Sequence, residues 1–145
     1  MINTILYIGF FAVFFAIWNY IRTSTLTNAS WKILGLSYST TETEQSLDGT
    51  RLDIVFFYMD RTYMERTYKF YSTKQGLLIR PSSDFLNKEY VLIPWDKIQQ
   101  GELKQNRSIG TTRVLHFIDA ENAELEIQQS DYTQYIRPRM RMSNN

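Results

Sequence analysis

The single histidine of the chain and two nearby carboxylates are the side chains best suited to acid–base chemistry. His116 lies in RVLHFI, and Glu124 and Glu126 lie in AELEI. An imidazole can act as a general base or a metal ligand, and two carboxylates can act as acid and base. However, His116 alternates with Val114 and Ile118, and the glutamates alternate with apolar neighbours, as in half-exposed strands. The pattern therefore predicts a half-buried sheet histidine and a solvated glutamate face.

Other motifs that carry chemistry are missing from the sequence. The chain contains no cysteine, which excludes a thiol nucleophile, a disulfide and a thiolate metal site. It has no G-x-S-x-G elbow to activate a serine and no glycine-rich phosphate loop. One imidazole alone seldom makes a zinc site. We therefore predict that the protein is not an enzyme and that it uses no cofactor or metal.

Two groups of basic residues could contact anionic lipid or a partner protein. The first falls on a predicted hairpin and its following loop, among several tyrosines, and comprises Arg61, Arg66, Lys69, Lys74 and Arg80. The second lies in RPRMRM and comprises Arg137, Arg139 and Arg141. Near an anionic membrane surface, each such charge contributes about 1 kcal/mol to binding. The alternative is a solvated strand face for the first group, because charge runs usually form one, and a disordered solvated tail for the second.

The composition is that of one small domain with little net charge. A chain of 145 residues has room for one hydrophobic core and a small appendage. Sixteen Lys and Arg stand against fifteen Asp and Glu, so the field that would attract nucleic acid is missing. Aromatic residues make up 15% of the chain, which favours pleated, half-buried strands. Nucleic acid is therefore excluded as an expected partner.

The N-terminal sequence MINTILYIGFFAVFFAIWNYIR predicts a transmembrane helix. The uncharged stretch from Thr4 to Ile21 approaches the length needed to cross a hydrocarbon core roughly 30 Å thick. The expected anchoring residues are Tyr7, Phe10, Phe11, Phe14, Phe15, Trp18, Tyr20 and Arg22. A cleaved signal peptide and a buried soluble helix are the alternatives. Because Arg22 and Lys32 follow the stretch and no basic residue precedes it, the C-terminal domain should be cytoplasmic, with a periplasmic domain left open.

The remaining chain divides into short elements. The anchor over residues 1–22 is followed by a juxtamembrane linker over 23–30, a β domain over 31–136 and a basic tail over 137–145. Trp31, Leu34 and Tyr38 recur at helical spacing and predict a short helix over 31–38. At the other end, a single helical turn over 131–136 should stop at Pro138.

Seven short runs predict strands between these ends. They are RLDIVFFYM, MERTYKFYS, GLLIRP, YVLIP, IQQGELK, RVLHFI and AELEI. Their spacing of roughly ten residues leaves no room for crossover helices, so the strands should be antiparallel and form a sandwich or barrel. Between YVLIP and IQQGELK, Pro94 has no N–H for a strand ladder, and Trp95 and Ile98 lie one turn apart. We therefore predict a structural corner at these three residues.

The stretch TKQGLLIRP followed by YVLIPWDKIQQGEL resembles the middle of bacterial pleckstrin-homology-like (PH-like) domains. The resemblance covers about residues 63–127 and implies a mainly β fold, a small PH-like barrel or sandwich of about seven antiparallel strands with short helices. It also implies that basic residues between the early strands are the place to look for an anionic headgroup, because eukaryotic relatives bind phosphoinositides there.

These observations together lead to an expected function without catalysis. The protein should be a PH-like interaction module, held at the bacterial inner membrane by one helix, that binds a protein partner of unknown identity. One alternative is an immunity or inhibitor protein that neutralises a toxin acting at the envelope. A weaker alternative is an accessory subunit of a membrane complex.

Overall fold

Short aromatic and β-branched runs form most of the molecule. The computed structural model describes residues 7–18, 29–59, 61–64, 68–82 and 90–143. These residues contain two antiparallel sheets of five strands each. The strands are β1 (Ser39–Thr40), β2 (Thr50–Leu52), β3 (Ile54–Met59), β4 (Thr62–Tyr63), β5 (Tyr68–Ser72), β6 (Gly76–Pro81), β7 (Tyr90–Pro94), β8 (Ile98–Asn106), β9 (Gly110–Phe117) and β10 (Ala120–Gln128).

Helical segments precede and follow the strands. Residues 7–18 form helix α1. The others are α2 (Ala29–Tyr38), a 3₁₀ turn (Trp95–Lys97), α3 (Gln129–Asp131), a π-turn (Tyr132–Ile136) and α4 (Arg137–Ser143). The helix predicted over 31–38 is thereby confirmed, and it begins two residues earlier than expected.

The chain passes from one sheet to the other between β2 and β3. The first sheet has the order β1-β7-β6-β5-β2 and the second the order β4-β3-β10-β9-β8. Leu52 and Phe57 are both buried in the core, although they are five residues apart. In an uninterrupted strand, residues an odd number apart point to opposite faces. The break at Asp53 therefore turns the apolar side chains of β3 back towards the core.

The main core draws on both sheets and on two helical segments. Ile79 of the first sheet and Leu125 of the second are fully buried in it. Leu34 of α2 and Ile136 of the π-turn belong to the same cluster and are also fully buried. Burial of each such side chain stabilises the fold by roughly 1.5–3 kcal/mol. Both helical segments are therefore part of the folding unit.

The loop over residues 41–49 covers the outer face of the first sheet. Leu47 packs there against Tyr71 and Leu78 and forms a second, smaller core. The Arg80 guanidinium lies 2.5 Å from the Glu44 carboxylate, which fixes the loop to β6. Both faces of the first sheet are thus covered in this region.

A tight corner connects β7 to β8. Pro94 ends β7, and the 3₁₀ turn begins at Trp95, which is buried. The Trp95 indole Nε1 donates a hydrogen bond of 3.1 Å to the carbonyl of Thr73. Ile98 then opens β8 with its side chain buried in the main core. The corner is held by the burial of Trp95 and Ile98, by the hydrogen bond to Thr73, and by a backbone hydrogen bond of 3.0 Å that the Ile118 N–H donates to the Lys97 carbonyl.

The C-terminal helical segment is longer than expected. It continues from Gln129 to Ser143, and Pro138 lies in the first turn of α4. The prediction that Pro138 stops the helix is therefore wrong. A proline in a regular helix removes a hydrogen bond and clashes with the preceding turn. Here the wider π-turn comes directly before α4 and accommodates the proline ring.

The expected mainly β barrel or sandwich of about seven antiparallel strands is corrected to a mixed α/β architecture. The first predicted run divides into β2 and β3 at Asp53, and the short strands β1 and β4 are additional. No strand pairing joins one sheet to the other within the described ranges, so the sheets stay open and form no closed barrel. Period-two patterning locates strands well, but it contains no information about how sheets close.

The expected transmembrane helix is also corrected. Within the part of the chain that the structure describes, no helix has both the length and the hydropathy to span a bilayer. Residues 7–18 rise by about 18 Å, against a hydrocarbon core of roughly 30 Å. The predicted anchoring side chains at these positions are exposed, namely Tyr7, Phe10, Phe11, Phe14, Phe15 and Trp18. Tyr20 and Arg22 lie outside the described residues.

Candidate functional site

One row of side chains crosses four strands on the outer face of the second sheet. Tyr63 of β4 pairs with Tyr58 of β3, Tyr58 with Glu124 of β10, and Glu124 with His116 of β9. Phe57, the neighbour of Tyr58 in the chain, is buried in the core, so the row faces away from the core. With about 4.8 Å between strands, this outer row extends about 14 Å.

Three aromatic rings pack together at one end of the outer row. The Phe56 and Tyr63 ring centroids are 5.5 Å apart in an edge-to-face arrangement, and the Tyr58 and Tyr63 centroids are 5.6 Å apart. These separations lie in the favourable range for aromatic pairs. Tyr63 is 41% exposed, and the other two rings are half-buried. The three rings form an accessible aromatic patch.

Two carboxylates flank the His116 imidazole at the other end. His116 Nε2 lies 3.7 Å from Glu102 Oε2, and Nδ1 lies 3.8 Å from Glu124 Oε1. These distances exceed hydrogen-bond length, so the contacts are loose. The Glu102 and Glu124 side chains are 59% and 42% exposed. Both carboxylates therefore have room to accept a further donor.

A bulge in β8 brings Glu102 to this position. The register of β8 against β9 shifts between Gln100 and Leu103, so Gly101 and Glu102 together oppose one residue of β9. Bulges commonly re-aim a side chain in this way. A Cβ at Gly101 would lie 2.6 Å from His116 Nε2. Glycine therefore leaves the space that the imidazole occupies beside Glu102.

Glu126, two residues from Glu124 on the same face of β10, has a structural role next to the outer row. It is only 7% exposed, and its Oε1 accepts a hydrogen bond of 2.5 Å from the Thr112 hydroxyl. Its Oε2 lies 4.0 Å from the Lys104 ammonium. The predicted solvated face is therefore wrong for Glu126, because Thr112 and Lys104 provide a buried carboxylate with a donor and a counter-charge. Glu124, by contrast, is half-exposed as expected.

The His116 end of the face is negatively charged. The pKa of Glu102 is lowered, mainly because its own backbone N–H donates to the carboxylate, with Lys104 and His116 acting in the same direction. Glu102 is therefore ionised at neutral pH. Lys104 is shared between Glu102 and Glu126, so one lysine stands against three glutamates. In the described part of the chain, no group of three His, Asp or Glu side chains is arranged to hold a metal ion. The carboxylates at this end of the outer row attract cations, and the aromatic patch at the other end offers ring faces to them.

The structure divides the first predicted basic group between the two sheets. Arg61 is exposed in the β3–β4 turn of the second sheet, with a positive φ of 66°. Lys69 and Arg80 are cross-strand neighbours in the first sheet, and Arg80 is engaged in the ion pair that fixes the 41–49 loop. Lys74 is exposed in the turn before β6. Arg66 lies outside the described residues.

The second predicted basic group lies on α4 and divides between two environments. Arg137 and Arg141 are exposed, four residues apart. Arg139 is half-buried, and its Nη1 is enclosed without a hydrogen-bond acceptor among the described residues. Arg137 and Arg141 are therefore the accessible members of this group.

The outer row and its aromatic patch were not identified as a site from the sequence. The sequence pattern places Phe56 and Tyr58 on a strand, Tyr63 in the hairpin turn among the first basic group, and Glu102 in the run IQQGELK, with nothing to bring them together. Two signals could have indicated them. Gly101 interrupts an otherwise regular strand pattern, which is typical of a bulge. The aromatic residues on both sides of the predicted hairpin could also have been placed on one face.

No family model, curated protein or solved structure matches the chain. The resemblance to PH-like domains based on the IPWDKI region therefore stays a prediction.

Proposed function

We propose that this protein is a non-enzymatic binding module that holds a cationic segment of a partner protein on the outer face of the second sheet. The observation that carries the proposal is the outer row itself, in which two tyrosines lead directly to Glu124 and His116, with Glu102 alongside. Aromatic faces attract Arg and Lys, and carboxylates accept their hydrogen bonds. Both kinds of group are accessible here.

The dimensions of the outer row fit an extended peptide. A length of about 14 Å corresponds to about four residues at 3.3 Å each. An Arg or Lys at one end could reach the carboxylates, and another could lie over the aromatic patch. A protein segment with alternating or clustered basic residues is therefore the expected occupant.

The face of the sheet is better suited to this role than its edge. β8 forms one edge of the second sheet, but it contains the bulge at Gly101 and carries Lys104. Bulges and edge lysines are features that hinder the addition of a further strand. Binding by strand addition at β8 is therefore disfavoured, and side-chain recognition on the face is expected.

A selection experiment tests the proposal. Immobilised full-length protein is used to select binders from a library of random dodecapeptides, in parallel with the E102Q/E124Q variant, which removes two charges from an exposed surface. We expect the wild-type protein to enrich peptides rich in Arg and Lys, and the variant to lose that enrichment. Enrichment of acidic or purely apolar peptides, or identical pools from both proteins, would overturn the proposal.

A further inference from the structure

A groove runs along the C-terminal helical segment and has no role in the proposed peptide site. Its volume is about 440 Å³, and its lining residues are Thr133, Arg137, Pro138, Arg141 and Met142. Arg137 and Arg141 are four residues apart, so they lie on one face of α4. All five lining residues are exposed. We call this feature the C-terminal groove.

The two guanidinium groups of the groove have no acidic partner in the described part of the chain. Neither Arg137 nor Arg141 forms an ion pair or a side-chain hydrogen bond with a described carboxylate. Between residues 129 and 143, three arginines stand against one carboxylate, that of Asp131. The groove is therefore locally and strongly positive.

Helix electrostatics explain only part of this arrangement. Arg141 lies in the last turn of α4, where a cation interacts favourably with the helix macrodipole. Arg137 is the first residue of α4 and lies beyond the reach of that effect, which falls off within the last turn. The helix macrodipole therefore accounts for one of the two cations that line the groove, and neither is neutralised by a described carboxylate.

We infer that the C-terminal groove binds a phosphate-bearing ligand between the guanidinium groups of Arg137 and Arg141. Guanidinium groups match phosphate oxygens in pairs of parallel hydrogen bonds. The volume falls in the range of small-molecule sites, about 300–1,000 Å³, and exceeds what a bare phosphate needs. Pro138 and Met142 provide an apolar wall for an organic portion, and the Met142 side chain is 78% exposed.

The Thr133 hydroxyl contributes to the shape of the groove and does not grip the ligand. Its Oγ1 donates a hydrogen bond of 2.8 Å to the Gln129 carbonyl and accepts one of 3.3 Å from the Gln129 amide. Its hydrogen-bonding capacity is thus largely used within its own helix. The two arginines therefore carry the recognition of the phosphate.

Two probes distinguish a lipid headgroup from a soluble phosphate. Full-length protein is mixed with vesicles of phosphatidylcholine and phosphatidylglycerol in equal parts, and with vesicles of phosphatidylcholine alone as the background. Separately, ¹⁵N-labelled protein is titrated with inorganic phosphate. Both measurements use the wild type, the R137Q/R141Q variant and a matched control, R51Q/R107Q, which removes two exposed charges elsewhere.

Each outcome supports or overturns the inference. If the ligand is a lipid headgroup, R137Q/R141Q loses affinity for the anionic vesicles by about 25-fold, about fivefold for each arginine, whereas the control is unchanged. If it is a soluble phosphate, vesicle binding is the same for all three proteins, and phosphate shifts the amide signals of residues 133–137 and 139–142 in the wild type and the control alone. Equal losses in both variants, or no response to either probe, would overturn the inference.

Discussion

Replacement of Gly76 by alanine should separate two paired strands. Gly76 lies opposite Pro94 at the β6–β7 end of the first sheet. A Cβ at this position would lie 2.1 Å from the Ile93 carbonyl oxygen and 2.7 Å from the Ile93 carbonyl carbon. Both are backbone atoms, so no side-chain rotation relieves the clash. The two strands must therefore move apart next to the corner that holds Trp95.

The expected loss follows from these contacts. A carbon and an oxygen approach to no less than about 3 Å, so the strands must separate by about 1 Å, which breaks about two adjoining ladder hydrogen bonds worth about 1 kcal/mol each. Overpacking adds about 1–3 kcal/mol. Gly76→Ala should thus lower the free energy of unfolding by about 3–5 kcal/mol, a large share of the 5–15 kcal/mol typical of a domain.

Urea denaturation, followed by tryptophan fluorescence, measures this loss. Gly110→Ala is the matched control, because Gly110 has a φ of 81° but a Cβ there would meet nothing within 4 Å. The control should lose about 1–2 kcal/mol from backbone strain alone. If Gly76→Ala unfolds at the same urea concentration as Gly110→Ala, the close approach of β6 and β7 is wrong.

Three further predictions concern other contacts. Trp95→Phe removes the hydrogen bond to the Thr73 carbonyl and should lower the free energy of unfolding by about 1–3 kcal/mol. An unchanged urea midpoint would show that this hydrogen bond does not stabilise the corner. Glu44→Gln breaks the partly buried ion pair with Arg80 and should lower it by about 0.5–1 kcal/mol at low salt, with a smaller difference at 1 M salt; equal differences at both salt concentrations would refute this. The pKa of Tyr38 is raised from 10.0 to about 12, first by burial and then by the hydrogen bond that its hydroxyl donates to the Asp119 carboxylate. The contribution of Tyr38 to the free energy of unfolding is therefore complete below pH 10 and is lost as the pH rises through 12. A phenolate absorbance titration of the wild type and of Tyr38→Phe should show one late-titrating tyrosine fewer in the variant. Identical curves would contradict the raised pKa of Tyr38.

Local patterns in the sequence predicted the strands but not their arrangement. Each of the seven predicted runs contains a strand, because short apolar alternation bounded by turn residues is a local property. The division at Asp53 depends on which sheet each half pairs with, and such pairing is nonlocal. The π-turn before Pro138 is a similar case, since the helix continues there because Ile136 and Met140 pack on the core. Local propensity alone would have ended it.

The candidate site was less predictable than the strands. His116 and Glu124 could be assigned to strand faces, but their proximity depends on the β9–β10 register. Glu102 reaches them only because the bulge shifts its direction by one residue, and a period-two reading places it on the wrong face. The burial of Glu126 depends on Thr112, which lies 14 positions earlier in the chain. Polar clusters on sheets are assembled across strands, so single-strand patterns do not reveal them.

The most direct test of the proposed function is the affinity of a selected basic peptide for defined charge variants. Fluorescence anisotropy would compare the wild type, E102Q/E124Q, and the control D48N/D53N, which removes two exposed carboxylates outside the four strands of the outer row. The outer row predicts at least about tenfold weaker binding for E102Q/E124Q, because hydrogen bonds to charged groups contribute about 1.5–3 kcal/mol each, and no change for the control. Equal affinities for all three proteins, or equal losses in both variants, would contradict recognition of a cationic segment by this face.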